Sequence, residues 1–305
     1  MATIRARTLG LWATAVAFTL LALAAPALAQ TMGQPHPWGT TLQPAATPIM
    51  EQITWFEGYT LAIITVITLF VLALILIVAV RFRASKNPTP SRTTHNTMIE
   101  VVWTIVPVLI LVAIAFPSFR LLYQETNIPD PGMTIKAIGG QWYWQYEYMD
   151  DAYADIGTLT SYMLDDEQRA ERKSQYNMTD GDVPRLLAVD YPLVVPVDTV
   201  VHVLATSLDV NHAVAVPGFG IKVDAIKGRI NQSWFRAGQT GVFYGQCSEL
   251  CGRSHAFMPL EVHVLPKEQF EQWATLAKED IDKATAQLLT WQAGGTEVPV
   301  AALAQ

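Results

Sequence analysis

Two uncharged apolar runs limit most severely what this chain can fold into. From Gly58 to Val80 no residue is charged, and Leu61 to Val80 is almost wholly apolar. At about 1.5 Å per helical residue such a run crosses a bilayer core of about 30 Å. A second uncharged run, Val101 to Phe119, lies between Glu100 and Arg120. Its Pro107 and Pro117 are tolerated in a membrane helix when neighbouring helices satisfy the freed backbone groups. The segment between the runs holds Arg81, Arg83, Lys86 and Arg92 and no acid, which places it in the cytoplasm by the positive-inside rule. Residues 1–29 read as a secretory signal, with Arg5 and Arg7 ahead of an apolar stretch and Ala27-Leu28-Ala29 as the cleavage motif. Cleavage would leave Gln30 first. Both observations put the mature termini outside. Residues 58–122 thus form a two-helix transmembrane hairpin with a cytoplasmic loop at 81–97, preceded by an outer arm at 30–57 that is irregular over Thr31 to Met50.

Charge divides the chain at the same place. Residues 1–122 carry 7 Lys and Arg against 3 acids, whereas residues 123–305 carry 13 against 24. An acidic outer domain on a basic membrane anchor excludes nucleic acid as a partner. It favours a basic protein partner, attracted less strongly as salt rises.

Beyond Met133 the pattern changes to short strands. Met133 to Ala137 is followed by Gln141-Trp-Tyr-Trp-Gln-Tyr-Glu-Tyr148, whose near-alternating aromatics are a strand signature. Further strands are expected at 185–189, 193–196, 200–205, 212–216, 220–224, 229–235, 240–244 and 259–265, a spacing that suggests a β-sandwich. Residues 150–182 are polar and without clear period, an inserted loop with one or two helical turns around 165–174. Lys267 to Leu289 has Phe270, Trp273, Leu276, Ile281 and Leu288 near helical spacing, the mark of one closing amphipathic helix before a loose tail.

The chemistry concentrates between Gly245 and Met258, in G-Q-C-S-E-L-C-G-R-S-H-A-F-M. Cys247, Cys251, His255 and Met258 offer thiolate, imidazole and thioether, a set that suits copper above other metals. His212 is the candidate second imidazole. Two thiolates can bridge two coppers, each completed by one His and one weak axial donor, with Met258 and the Glu249 carbonyl as the axial pair. Two plainer readings compete. The only two cysteines of the chain could form a disulfide outside the cell. Zinc is the other, although structural zinc sites prefer a second Cys pair and Met is a poor zinc ligand.

These residues resemble subunit II of a bacterial haem-copper cytochrome c oxidase. The resemblance runs from about residue 50 to 275. It is carried by E-V-V-W-T-I-V-P at 100–107, Q-W-Y-W-Q-Y-E-Y at 141–148, L-D-V-N-H-A at 208–213, F-G-I-K-V-D-A-I-K-G-R at 219–229 and Y-G-Q-C-S-E-L-C-G-R-S-H-A-F-M-P at 244–259. It implies a membrane α-hairpin plus an all-β, cupredoxin-like Greek-key sandwich at 123–266, closed by a C-terminal helix and tail at 267–305. On the family's pattern His212, Cys247, Glu249, Cys251, His255 and Met258 fall on the ligands of a two-copper CuA centre. The Glu249 side chain would also reach a magnesium ion shared with subunit I. Trp142 falls on the surface aromatic that receives electrons, and Glu100 on the carboxylate at the mouth of a proton path. Glu147, Asp150, Asp155 and Asp190 are candidates for the acidic face that docks cytochrome c.

The implied activity is electron input to a respiratory terminal oxidase. Electrons would pass from reduced cytochrome c to the haem of subunit I, for reduction of oxygen to water coupled to proton translocation. The implied partners are subunit I, subunit III, cytochrome c and the lipid bilayer, with the chain in the bacterial inner membrane and the copper domain on its periplasmic side. No catalytic residue is expected in this chain. Lys227 departs from the family, where Pro is usual, and Ala188 stands where many relatives carry Glu; neither is a copper ligand. A membrane-anchored copper carrier or chaperone is the alternative, against which the second Cys and the two-span hairpin speak.

Overall fold

A computed structural model of the chain describes residues 33–89 and 91–294. The expected signal segment 1–29 and the tail after Gly294 lie outside the described residues.

Helix α1 spans Pro48–Arg81 and helix α2 spans Thr97–Thr126. Both are long and apolar enough to cross a membrane, and neither core stretch is covered by the rest of the chain. At 34 residues α1 is about 50 Å long, so it outlasts the apolar run and projects beyond a bilayer core. Its start is fixed by Thr47, whose hydroxyl accepts the Met50 N–H at 3.0 Å and donates to the Phe219 carbonyl at 2.7 Å. One buried N-cap therefore both starts the helix and ties it to the β-domain. Gly220, at φ 71°, lets Met50 and Ile53 pack on that turn, where a Cβ would meet the Ile53 side chain at 2.8 Å. The end of α2 is tied down by Trp234, whose ring N–H donates to the Gln124 carbonyl at 3.2 Å.

The outer domain has ten strands. A five-stranded sheet runs in the order β3 (Thr158–Ser161), β2 (Tyr143–Tyr148), β1 (Met133–Gly140), β5 (Val201–Ser207), β8 (Asn231–Phe235). A three-stranded sheet runs β4 (Leu193–Pro196), β10 (Pro259–Leu265), β9 (Gly241–Gln246), and β6 (His212–Val216) pairs with β7 (Ile221–Ala225). β1–β5 and β4–β10 are parallel; the other pairs are antiparallel. The crossovers produce a cupredoxin-like Greek-key sandwich. Alternation sets its core: Ile135 and Ala137 of β1, Trp144 and Tyr146 of β2, Val201 and Val203 of β5, and Leu260, Val262 and Val264 of β10 meet in one buried cluster.

Three local expectations change. Residues 185–189 form no strand; they turn, and only Val189 bridges, to Met163. Residues 150–182 are more ordered than a loop. They carry β3 and a three-turn helix α3 (Asp166–Tyr176), begun by a capping box between Asp165 and Gln168. The closing helix is two helices, α4 (Lys267–Glu279) and α5 (Ile281–Gln292), because the Asp280 side chain caps a fresh start at the Asp282 and Lys283 N–H groups.

Every residue of β10 is buried. Leu164, Tyr176, Met178, Val183, Ala188 and Leu289 form a second small core outside the sandwich. Between it and the main core, Glu261 accepts the Val189 N–H at 2.8 Å and pairs with His263 at 2.7 Å, both side chains being fully enclosed.

Candidate metal centre

One loop and one strand start deliver the donors. His212 opens β6, and the segment after β9 carries Cys247, Glu249, Cys251, His255 and Met258 before β10 begins. Cys247 Sγ lies 3.8 Å from His212 Nδ1 and 3.3 Å from the Glu249 carbonyl oxygen. Cys251 Sγ lies 3.4 Å from His255 Nδ1 and 3.5 Å from Met258 Sδ. The two sulfurs are 3.9 Å apart and both cysteines are free. A disulfide holds its sulfurs at about 2.05 Å, so that reading falls. The ligand atoms of His212, Cys247 and Cys251 all lie within 4.8 Å of one another, close enough to share a metal ion. Each sulfur thus has one imidazole nitrogen and one weak donor beside it. This soft donor set fits copper, and the two-sulfur, two-imidazole symmetry fits a pair of ions better than one.

Electrostatics sets the two thiols apart. Burial opposes the Cys247 thiolate most strongly, but hydrogen bonds from the His212 ring, the backbone at Glu249 and Ala213, and the His255 ring together bring this thiol down to about 7. Cys251, buried and next to Cys247, is pushed up instead. Burial works against the charged His212 ring, yet Cys247 and Asp209 together raise it. A bound cation would favour both thiolates outright.

The expected donors therefore meet, as five side chains and one backbone carbonyl. The Glu249 side chain itself is exposed. Trp142 sits half-buried in the β1–β2 turn rather than within a strand, packed against the core next to the metal loop. Glu100 lies far along the chain in the first turn of α2, where its carboxylate accepts the Asn96 N–H at 3.3 Å. Among the docking candidates, Asp150 accepts the Thr134 N–H, Asp190 accepts the Tyr162 and Tyr191 N–H groups, and Glu147 pairs with Lys136 at 3.0 Å. Asp155 lies exposed in a single helical turn at 154–156.

The family whose description is "Cytochrome C oxidase subunit II, periplasmic domain" matches residues 133–265, and "Cytochrome C oxidase subunit II, transmembrane domain" matches residues 35–121. The chain is 43% identical to cytochrome c oxidase subunit 2 of Cereibacter sphaeroides, over 87% of this chain and 90% of that one. It is 45% identical to the probable cytochrome c oxidase subunit 2 of Rickettsia felis, over 79% of this chain and 72% of that one. The chain belongs to the cytochrome c oxidase subunit II family. A solved periplasmic domain of subunit II of cytochrome oxidase from Bradyrhizobium japonicum shares 45% identity, covering 51% of this chain and 99% of that one, with a TM-score of 0.44.

As a family member, this chain is one subunit of a haem-copper oxidoreductase and works with other oxidase subunits, anchored in the membrane with its β-domain on the periplasmic side. Three residues beside the centre escape a reading of the sequence alone. Asp209 accepts from His212 Nε2 at 2.9 Å, so the ring's other nitrogen faces the sulfurs. Gly139 leaves room for that ring, since a Cβ there would meet it at 2.7 Å. Trp144 donates to the Met258 carbonyl at 3.1 Å and stands edge-on to His212. Asp209 lies three residues before His212, and that short acid–His spacing was the one available signal.

Proposed function

We propose that this subunit receives electrons singly from reduced cytochrome c at a two-copper CuA centre and passes them to the haem of subunit I, in the bacterial inner membrane. His212, Cys247, Cys251, His255, Met258 and the Glu249 carbonyl would hold the metal. The observation that carries this reading is the pair of free thiols 3.9 Å apart, each with its own imidazole and weak donor. When bound, two coppers bridged by thiolates supply a one-electron store whose charge change is spread over both ions.

The residues of the chain do the rest. The sandwich fixes β6, which carries His212, and β9 and β10, between which the donor loop is strung, so the donors shift little when charge arrives. Asp209 holds the His212 ring in one orientation, and removing such a partner costs about 10–100-fold in metal affinity. Trp144 anchors the Met258 backbone and walls off water, which raises the effect of every nearby dipole. Trp142 is the surface aromatic through which electrons would arrive, and the acidic balance of the domain would steer a basic cytochrome c. The exposed Glu249 carboxylate would take part in a magnesium site shared with subunit I, and subunit III completes the assembly. Glu100 would feed protons toward subunit I, where oxygen is reduced and protons are translocated.

Rapid mixing of reduced cytochrome c with the assembled oxidase tests this reading. Copper reduction should precede haem reduction, and both should slow as salt rises. Equal haem reduction rates in copper-loaded and copper-free complexes would contradict it.

A further inference from the structure

We infer that Gly252 and Gln141 are positioning residues that hold the Trp142 indole on the backbone of the donor loop, and so set the contact across which electrons reach the metal site. The inference rests on the reading of Trp142 as the electron-accepting aromatic. It begins from an oddity: the indole N–H of Trp142 is buried and has no hydrogen-bond partner. Buried Trp N–H groups usually find one, so this ring is not aimed by its own polar atom. Packing must aim it.

Two neighbours supply that packing. Gly252 follows Cys251 directly and has φ 123°, a conformation that side chains rarely adopt. A Cβ there would stand 3.2 Å from Trp142 Cζ2, 3.6 Å from Trp142 Nε1 and 3.1 Å from Gln141 Nε2. The indole therefore lies over the bare backbone one residue from a thiol of the cluster. Gln141 fastens the turn that carries the ring. Its side-chain amide donates to the Cys251 carbonyl at 2.8 Å, and its backbone N–H donates to Asp209 Oδ2 at 2.8 Å. The other oxygen of Asp209 meets His212 Nε2. The β1–β2 turn is thus tied to both sides of the donor cluster, to the Cys251 backbone and, through one carboxylate, to His212. A side chain at 252 would wedge the indole and the Gln141 amide off the loop; loss of the amide would let the turn drift.

Three variants test this in the full-length chain: Gly252→Ala, Gln141→Ala and Trp142→Phe. With 5-fluorotryptophan incorporated, Trp142→Phe assigns the fluorine resonance of Trp142 in the detergent-solubilised chain. Gly252→Ala and Gln141→Ala should each shift or broaden that resonance. In the assembled oxidase they should leave the copper paramagnetic resonance spectrum and the later copper-to-haem step unchanged, and slow electron transfer from reduced cytochrome c by about threefold or more, because reacting geometries misplaced by about 1 Å can lose far more. In the Trp142→Phe background neither should slow it further. Gln141→Ala removes only a side-chain amide and adds no Cβ to the donor loop, so it keeps the test decisive if Gly252→Ala disturbs the loop. The inference is overturned if both variants leave the resonance at its original position and width, or if their slowing persists undiminished without Trp142. Unchanged electron acceptance in Trp142→Phe alone would instead remove the reading of Trp142, and with it the functional half of the inference, while the resonance still decides the positioning half.

Discussion

The donor loop at 247–258 and the insertion at 150–190 are both segments that leave the sandwich and return, yet they are held in opposite ways. The donor loop carries two thiols, one imidazole and a thioether and meets the His212 ring from β6, with Trp144 and Gln141 bonded to its backbone. Those sulfur and nitrogen atoms crowd one another without strong hydrogen bonds, an arrangement that only a cation would complete. The insertion has no such chemistry. It carries a capped helix and packs an apolar cluster with Leu289, and Glu261 of β10, paired with His263, fastens Val189 beside it. One segment brings donor atoms together; the other packs around apolar side chains of its own. Chemistry and stability can therefore be altered separately in this molecule.

The strongest break in that comparison comes from the thiols. Cys247→Ser or Cys251→Ser should abolish the two-copper centre, reducing bound copper to at most one ion per chain as measured by metal analysis, while hydrogen exchange over 164–189 stays as it was. Copper removal without mutation should give the graded version. Binding to the native state alone stabilises by about 4 kcal/mol at a thousandfold excess over the dissociation constant. Chelation should thus lower the melting temperature and raise exchange at 247–258, again sparing the insertion.

The reverse experiment is Glu261→Ala. It leaves His263 and the Val189 N–H enclosed without partners, at about 1–3 kcal/mol for such a group. Thermal unfolding should shift down and exchange around 183–189 should rise, with the copper spectrum unaltered. A changed copper spectrum would show that the two regions are coupled after all.

The smallest effect concerns Asp190, whose carboxyl burial pushes above the usual range despite the N–H groups it accepts. A folded carboxyl with a raised pKa binds more protons than the unfolded one, so its contribution to stability declines as pH rises from the ordinary carboxylate value through the folded one. Asp190→Asn should flatten that part of the stability profile in a pH series of denaturant titrations. An unchanged slope would place the effect elsewhere.

The same contrast explains what could be read from the sequence. The donor loop was legible because its chemistry is local: five donors within twelve residues have few other uses, and only His212 had to be brought from a distance. The membrane hairpin was legible because a bilayer imposes length and charge rules on each span separately. The insertion was not, since the face that packs it lies on β10, and nothing near Glu261 in sequence announces Val189 as its partner. The closing helix splits for a local reason, an N-capping aspartate at 280 within an otherwise continuous apolar period. Residues 185–189 have strand-like composition but turn, and Val189 is occupied by Met163 and Glu261 rather than by a sheet. Gly139 and Gly252 could not be singled out at all, because a glycine reveals its purpose only through the ring that fills the space beside it.

The central claim is that the two thiols share two coppers and one unpaired electron. Electron paramagnetic resonance on the oxidised, copper-loaded full-length chain tests it most directly. Two equivalent copper nuclei should give a shared hyperfine pattern, lost in Cys247→Ser. A single-copper pattern, or no copper signal with Cys247 and Cys251 joined as a disulfide after reduction and loading, would contradict it.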